Sequence, residues 1–192
     1  TTVTISGKAT YQRVPFSTNV NLGLSYASTA EQPIREAIVE LIQSGGNTPL
    51  ATTTTDSNGN YALTAPANTS VFVRVQAQLR KSTTPARSIR VLNNTNGNAL
   101  YVLDSAVFSS GATNQTKNLL AGSGWGGTSY TGTRSAAPFA ILDTLLAAAE
   151  FVVANGNPTL DLPGLDVFWS PQNNSASGDV SLGQIESTLY TT

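Results

Sequence analysis

The chain is 192 residues long, with 40% apolar and only 11% charged residues, a net charge of −1, and neither histidine nor cysteine. That double absence excludes a Ser-His-Asp triad, a Cys-His dyad, an HExxH zinc site, a CxxC redox pair and disulfide bonding. Enough apolar residues remain to bury a core in one large or two small domains, and low charge with abundant Thr, Ser, Asn and Gly suits an exported β-rich protein.

In chain order, residues 3–13 read as a first strand with a glycine inside it, ISGKATY. Segment 34–42, IREAIVELI, has helix-like spacing, but its β-branched residues and short length predict a strand. Residues 51–65, ATTTTDSNGNYALTA, predict a hairpin. The threonines suit a strand, Asn58-Gly59 supplies the two positive-φ residues of a type I′ turn, and Tyr61 and Leu63 restart the alternation. Residues 71–79 alternate strictly, with Val71, Val73, Val75, Ala77 and Leu79 on one face. Strands at 88–92 and 98–108 complete an antiparallel sandwich over residues 1–108.

Residues 109–134 are rich in Gly, Ser and Thr and read as a connection. A helix follows over 136–154, with Ser135 as N-cap, Pro138 in the first turn and Asn155-Gly156 as the stop. It is apolar on most of its circumference and is expected to be buried; Asp143 and Glu150 make it a poor membrane span. A strand at 165–169 and a polar loop close an α+β segment over 135–192, which reads as the start of a further domain. Thr1 has no charged and apolar leader before it, so any secretory signal is expected to have been removed.

Charge divides unevenly. Residues 1–103 hold eight basic and four acidic residues, net +4, and residues 104–192 hold two basic and seven acidic, net −5. The basic residues are scattered and not interleaved with aromatics, which argues against nucleic acid and for two halves that pack together.

Several patterns suggest sites. Gly122–Gly127 matches GxGxxG, but the next helix starts too late for a phosphate cradle. Asp56-Ser-Asn58-Gly-Asn60 has the opening of a calcium loop, yet Tyr61 and Ala67 occupy the positions that need glycine and glutamate, so a turn is expected. Asp143 and Glu150 lie seven apart on one helix face, where paired carboxylates do acid/base chemistry or mark a solvated stripe. Trp125, Tyr130, Phe168 and Trp169 suggest a stacking platform, with Trp125, Tyr130 and Trp169 as ligand-contact aromatics. Lys8 is a candidate for an isopeptide bond to an asparagine of a late strand.

The opening strand, PIREAIVELIQ, and TTTTDSNGNYALTAPANTSVFVRVQA together resemble the carboxypeptidase-regulatory-like (transthyretin-like) β-sandwich family over residues 1–108. Residues 88–190, with VLNNTNGNALYVLD, AGSGWGGTSYTGTRSAAPFAILDTL and LPGLDVFWSPQNN, are similar to the N-terminal region of large secreted bacterial proteins that continue into a gluzincin-like HExxH zinc metallopeptidase. The resemblance implies a mainly β fold, a transthyretin-like or Ig-like antiparallel sandwich followed by one long buried helix. It also implies a secreted, periplasmic or cell-surface setting in a bacterium. HExxH is absent here, so no catalytic, cofactor-binding or metal residue carries over. The expected role is that of a non-catalytic accessory region that positions or recruits substrate for a downstream peptidase-like domain. The alternative is a surface module that binds glycan or protein. The expected partner is that downstream domain, or a second copy meeting the apolar helix 136–154.

Overall fold

In the computed structural model, which describes residues 1–19 and 21–188, thirteen strands form two sheets that face each other across one apolar core. In chain order the longer strands are β1 (Thr2–Arg13), β2 (Ala30–Pro33), β3 (Ala37–Gln43), β4 (Pro49–Thr54), β5 (Asn60–Pro66), β6 (Ser70–Lys81) and β7 (Arg87–Asn93). Short pieces follow: β8 (Ala99–Leu100), β9 (Val102–Asp104), β10 (Phe108–Ser109), β11 (Gln115–Thr116) and β12 (Leu119–Ala121). The helix α1 (Ala136–Asn155) and β13 (Leu165–Phe168) complete the regular structure.

The first sheet is built around β1. One edge pairs antiparallel with β5 and β2, the other parallel with β11 and β12. Val3, Ile5, Ala9 and Tyr11 point inward at period two and are buried. Gly7 shares their phase, and here the Tyr61 hydroxyl donates to the Lys117 carbonyl. A Cβ on Gly7 would overlap that carbonyl, so the glycine in ISGKATY is what lets the later strands close on β1.

The second sheet runs β13-β7-β6-β3-β4, with β8 on β7 and with β9 and β10 on β6. Strand β6 shows the expected alternation: Val71, Val73, Val75, Ala77 and Leu79 are all fully buried. Burying each large apolar side chain stabilises the fold by about 1.5–3 kcal/mol, so this strand is the centre of the core. The region expected as one strand over 98–108 is instead β8, β9 and β10, short pieces interrupted by turns.

The Asn58-Gly59 hairpin is corrected. Strand β4 pairs with β3 in the second sheet and β5 pairs with β1 in the first, so residues 55–59 cross between sheets. Only Gly59 has a positive φ, +81°, where a type I′ turn needs two such residues. The turn is held by Asp56, whose carboxylate accepts from the main-chain N–H groups of Asn58 and Asn60 and from the Asn60 amide. Gly59 donates to the Asp56 carbonyl, and a Cβ on it would lie 2.5 Å from the Ala9 carbonyl oxygen. The Asp-x-x-Gly pattern therefore builds a sheet-to-sheet corner.

Residues 109–134 are not a bare connection, because β11 and β12 extend the first sheet. Strand β13 lies parallel on β7 in the second sheet, and α1 packs on β1, β6 and β7. Phe139, Leu142, Leu146 and Ala149 recur at helical spacing and are buried in the same core cluster or against it. The helix is buried along this stripe and at Ala136 and Pro138 of its first turn, whereas Phe151 and Val152 are exposed on its last turns. Its even apolarity comes largely from alanines, which lose little by facing water. With a mean hydropathy of 1.7 it is long and apolar enough to cross a bilayer, yet its Leu142–Leu146 stripe lies on the sandwich. Ser135 does not cap it through its side chain; the Ala136 N–H donates to the Gly122 carbonyl, tying the helix start to the end of β12.

Candidate functional site

Two clusters of functional side chains stand out, and they differ in what surrounds their arginines. The first lies at the seam between helix and sandwich. Arg35 reaches Asp143 at 2.7 Å and Glu150 at 3.1 Å, and Asp143 also takes a 2.7 Å hydrogen bond from the Tyr11 hydroxyl and a longer contact from Arg13. The seven-residue spacing does put both carboxylates on one face, where both meet Arg35; Asp143 is largely buried there, while Glu150 stays partly in solvent. Burial raises the Tyr11 phenol well above its usual range, with the Asp143 carboxylate adding to the effect. Asp143 and Glu150 keep Arg35 protonated despite its partial burial. Both carboxylate oxygens of Asp143 thus have a cation or donor against them, an arrangement that fastens the helix to the sandwich.

The second cluster is aromatic. After β12 the loop doubles back on itself: the Gly126 N–H donates to the Ser129 carbonyl, and those of Thr131 and Gly132 donate to Gly124. Gly124 has φ +77°, and a Cβ there would sit 2.6 Å from the Gly132 carbonyl oxygen, so the tight turn requires it. This geometry brings Trp125 and Tyr130 together edge to face at 5.2 Å. Tyr26, from a single 3₁₀ turn (Tyr26–Ser28), stacks parallel on Trp125 at 3.7 Å and meets Tyr130 at 5.9 Å. The Arg134 guanidinium lies over Tyr130 at 4.1 Å and over Trp169 at 5.3 Å, and Trp169 meets Tyr101 at 5.5 Å. Trp169 is itself fixed at the end of β13, its N–H donating to Leu92 and its carbonyl accepting from the Tyr101 hydroxyl.

All six side chains are half-buried. The neighbouring Tyr130 raises the Tyr26 phenol, while the Arg134 charge acts in the opposite sense. Burial raises the Tyr101 phenol, and Arg134 again opposes. The guanidinium is the one charged side chain of the group. Trp125, Tyr130 and Trp169 belong to one cluster, with Trp169 joined through Arg134, whereas Phe168 points to solvent away from it. Tyr26, Tyr101 and Arg134 were not legible as members: nothing in the sequence separation of 26, 101 and 125–134 links them, and only the sheet pairings do.

The remaining patterns resolve as turns and contacts. In Gly122–Gly127 the Ser123 N–H donates to Gln12 and those of Trp125 and Gly126 are engaged within the loop, so this segment offers no phosphate cradle. Among the described residues no group of three or more His, Cys, Asp or Glu side chains converges as a metal site. Lys8 is exposed, and its main-chain N–H donates to the Asn118 side chain. The better concavities are open depressions at the turn 43–50 and beside Thr52, Thr54 and Arg80, away from both clusters.

No family model and no curated protein matches this chain. Among solved structures it is similar to a 9R-lipoxygenase from Cyanothece PCC8801, at 14% identity and a TM-score of 0.26. That match covers 62% of this chain and 15% of the lipoxygenase. So low a likeness carries nothing about the chemistry here, and neither the transthyretin-like nor the metallopeptidase family gains support from it.

Proposed function

We propose that this chain is a non-catalytic ligand-recruiting module whose contact surface is the cluster Tyr26, Trp125, Tyr130, Arg134 and Trp169. The single observation that carries this reading is an aromatic cluster left half-exposed around an arginine, in a chain whose best-placed carboxylates are committed to Arg35. Aromatic side chains supply large contact areas, and their faces suit stacking against a ligand. The exported bacterial setting, and service to a downstream zinc-metallopeptidase-like domain, rest on the sequence resemblance alone. A surface-adhesion role would use the same cluster.

The test is built into the chain, since its two tryptophans both belong to the cluster. Tryptophan emission, excited selectively, is expected to shift saturably with a bound ligand from a panel of oligosaccharides and peptides, and Trp125→Ala is expected to abolish binding without unfolding the chain. Unaltered emission across the panel, with no binding by calorimetry, would overturn the reading.

A further inference from the structure

Five arginines are paired with carboxylates: Arg13, Arg35, Arg74, Arg87 and Arg90. Arg134 differs. Among the described residues no acidic side chain pairs with it and no side-chain hydrogen bond leaves its guanidinium, although it is half-buried and held over two aromatic rings. Rings engage the flat face of a guanidinium, while its five N–H donors radiate in the plane. The two rings hold the guanidinium in place, and its N–H donors, without a partner among the described residues, are left for an acceptor from outside. A planar fork matches a carboxylate through two parallel N–H···O bonds.

The rim around it narrows the ligand further. Residues 122–133, GSGWGGTSYTGT, contain no charged and no aliphatic side chain, and Thr128, Ser129, Thr131 and Thr133 are exposed. Such a rim offers hydroxyls to a polyhydroxylated ligand. A peptide would instead call for apolar pockets or an unpaired strand edge, and the loop closes its own backbone with the Trp125–Tyr130 bridge. The stacked Tyr26–Trp125 pair lies next to this arginine through Tyr130, so a platform and an anion reader stand side by side. One guanidinium without a second cation suits a single planar carboxylate better than a cluster of sulfates or phosphates.

We propose that Arg134 reads the carboxylate of an acidic sugar, and that the ligand class of the aromatic cluster is a uronic-acid-containing saccharide. This rests on the reading of the cluster as a ligand site. The experiment titrates the whole chain with a short oligogalacturonate, its fully methyl-esterified form, and a sulfated neutral oligosaccharide, followed by tryptophan emission and calorimetry. Methyl esterification keeps the ring and removes the charge. Hydrogen bonds to a charged partner contribute about 1.5–3 kcal/mol, so the free acid is expected to bind at least about tenfold more tightly than the ester. Arg134→Gln is expected to erase that difference, and Arg134→Lys to restore part of it. Circular dichroism checks that each variant is folded.

Equal affinity for acid and ester in the unaltered chain would overturn the assignment while leaving the recruiting module intact. So would an equal loss of both in Arg134→Gln, which would make the arginine a mere support for the rings. Preference for the sulfated sugar would overturn the carboxylate in particular. No binding of any saccharide, with a peptide binding instead, would also overturn it; no ligand of any kind would overturn both readings.

Discussion

Arg35 meets α1 at Asp143 and Glu150, Arg134 lies two residues before its first turn, and their surroundings are opposite. Arg35 is gripped by two carboxylates, one of them also bound by the buried Tyr11; Arg134 meets only rings. The first arrangement satisfies its charges internally and has nothing left to offer. The second stabilises position without satisfying donors, and that separates a structural arginine from an available one. The same contrast explains the uneven charge of the chain. Among the described residues every ion pair except Arg87–Glu36 joins a basic residue of the first half to an acidic residue of the second, so the opposite charges hold the halves together.

If the seam is structural, damage there should register as stability. Leu146, fully buried beneath the helix, is expected to cost about 3 kcal/mol on replacement by alanine, from lost transfer energy and the cavity left behind. Urea denaturation measures it, and a loss below about 0.5 kcal/mol would mean that α1 is only appended to the sandwich. Arg35→Ala is expected to cost less, about 1–2 kcal/mol, because the pair is partly solvated and Asp143 keeps Tyr11 and Arg13.

In the aromatic cluster, Arg134→Gln removes cation–π contacts at a half-exposed position and is expected to cost under about 1 kcal/mol. A loss as large as that of Arg35→Ala would collapse the distinction between the two arginines. The smallest effect concerns the corner turn. The Asn60 amide and the nearby main-chain N–H groups hold the Asp56 carboxyl below its ordinary range. A depressed folded-state pKa contributes stability that is present above the ordinary carboxylate value and fades as pH falls through the depressed one. Asp56→Asn should therefore flatten the acid limb of the stability profile slightly, and an unchanged profile would show that the turn owes nothing to the charge.

Much of the sandwich was readable in the chain. The alternation over 71–79 predicts β6 because side chains on a pleated strand must alternate, and the β-branched content of 34–42 overrides its helix-like spacing. The corner at Asp56–Gly59 was misread because turn chemistry specifies a local bend and not the partner of each flanking strand. Residues 115–121 were read as connection because two- and three-residue strands carry no period; β1 supplies the template that orders them.

Of the candidate site, Trp125, Tyr130 and Trp169 were visible as residue types, and Asp143 and Glu150 as one helix face. Their meanings were not. Whether a carboxylate is a base or a clamp depends on what lies across from it, here Arg35 from 108 residues earlier than Asp143.

The sequence by itself determined that no histidine or cysteine chemistry occurs in this chain, that it is mainly β, and where its one long helix runs, because composition and periodicity are local properties. Only the tertiary structure decided which sheet each strand joins, that α1 shares the sandwich core, and that Arg35 is satisfied while Arg134 is not. Those outcomes depend on contacts between residues far apart in the chain, and no local pattern encodes them.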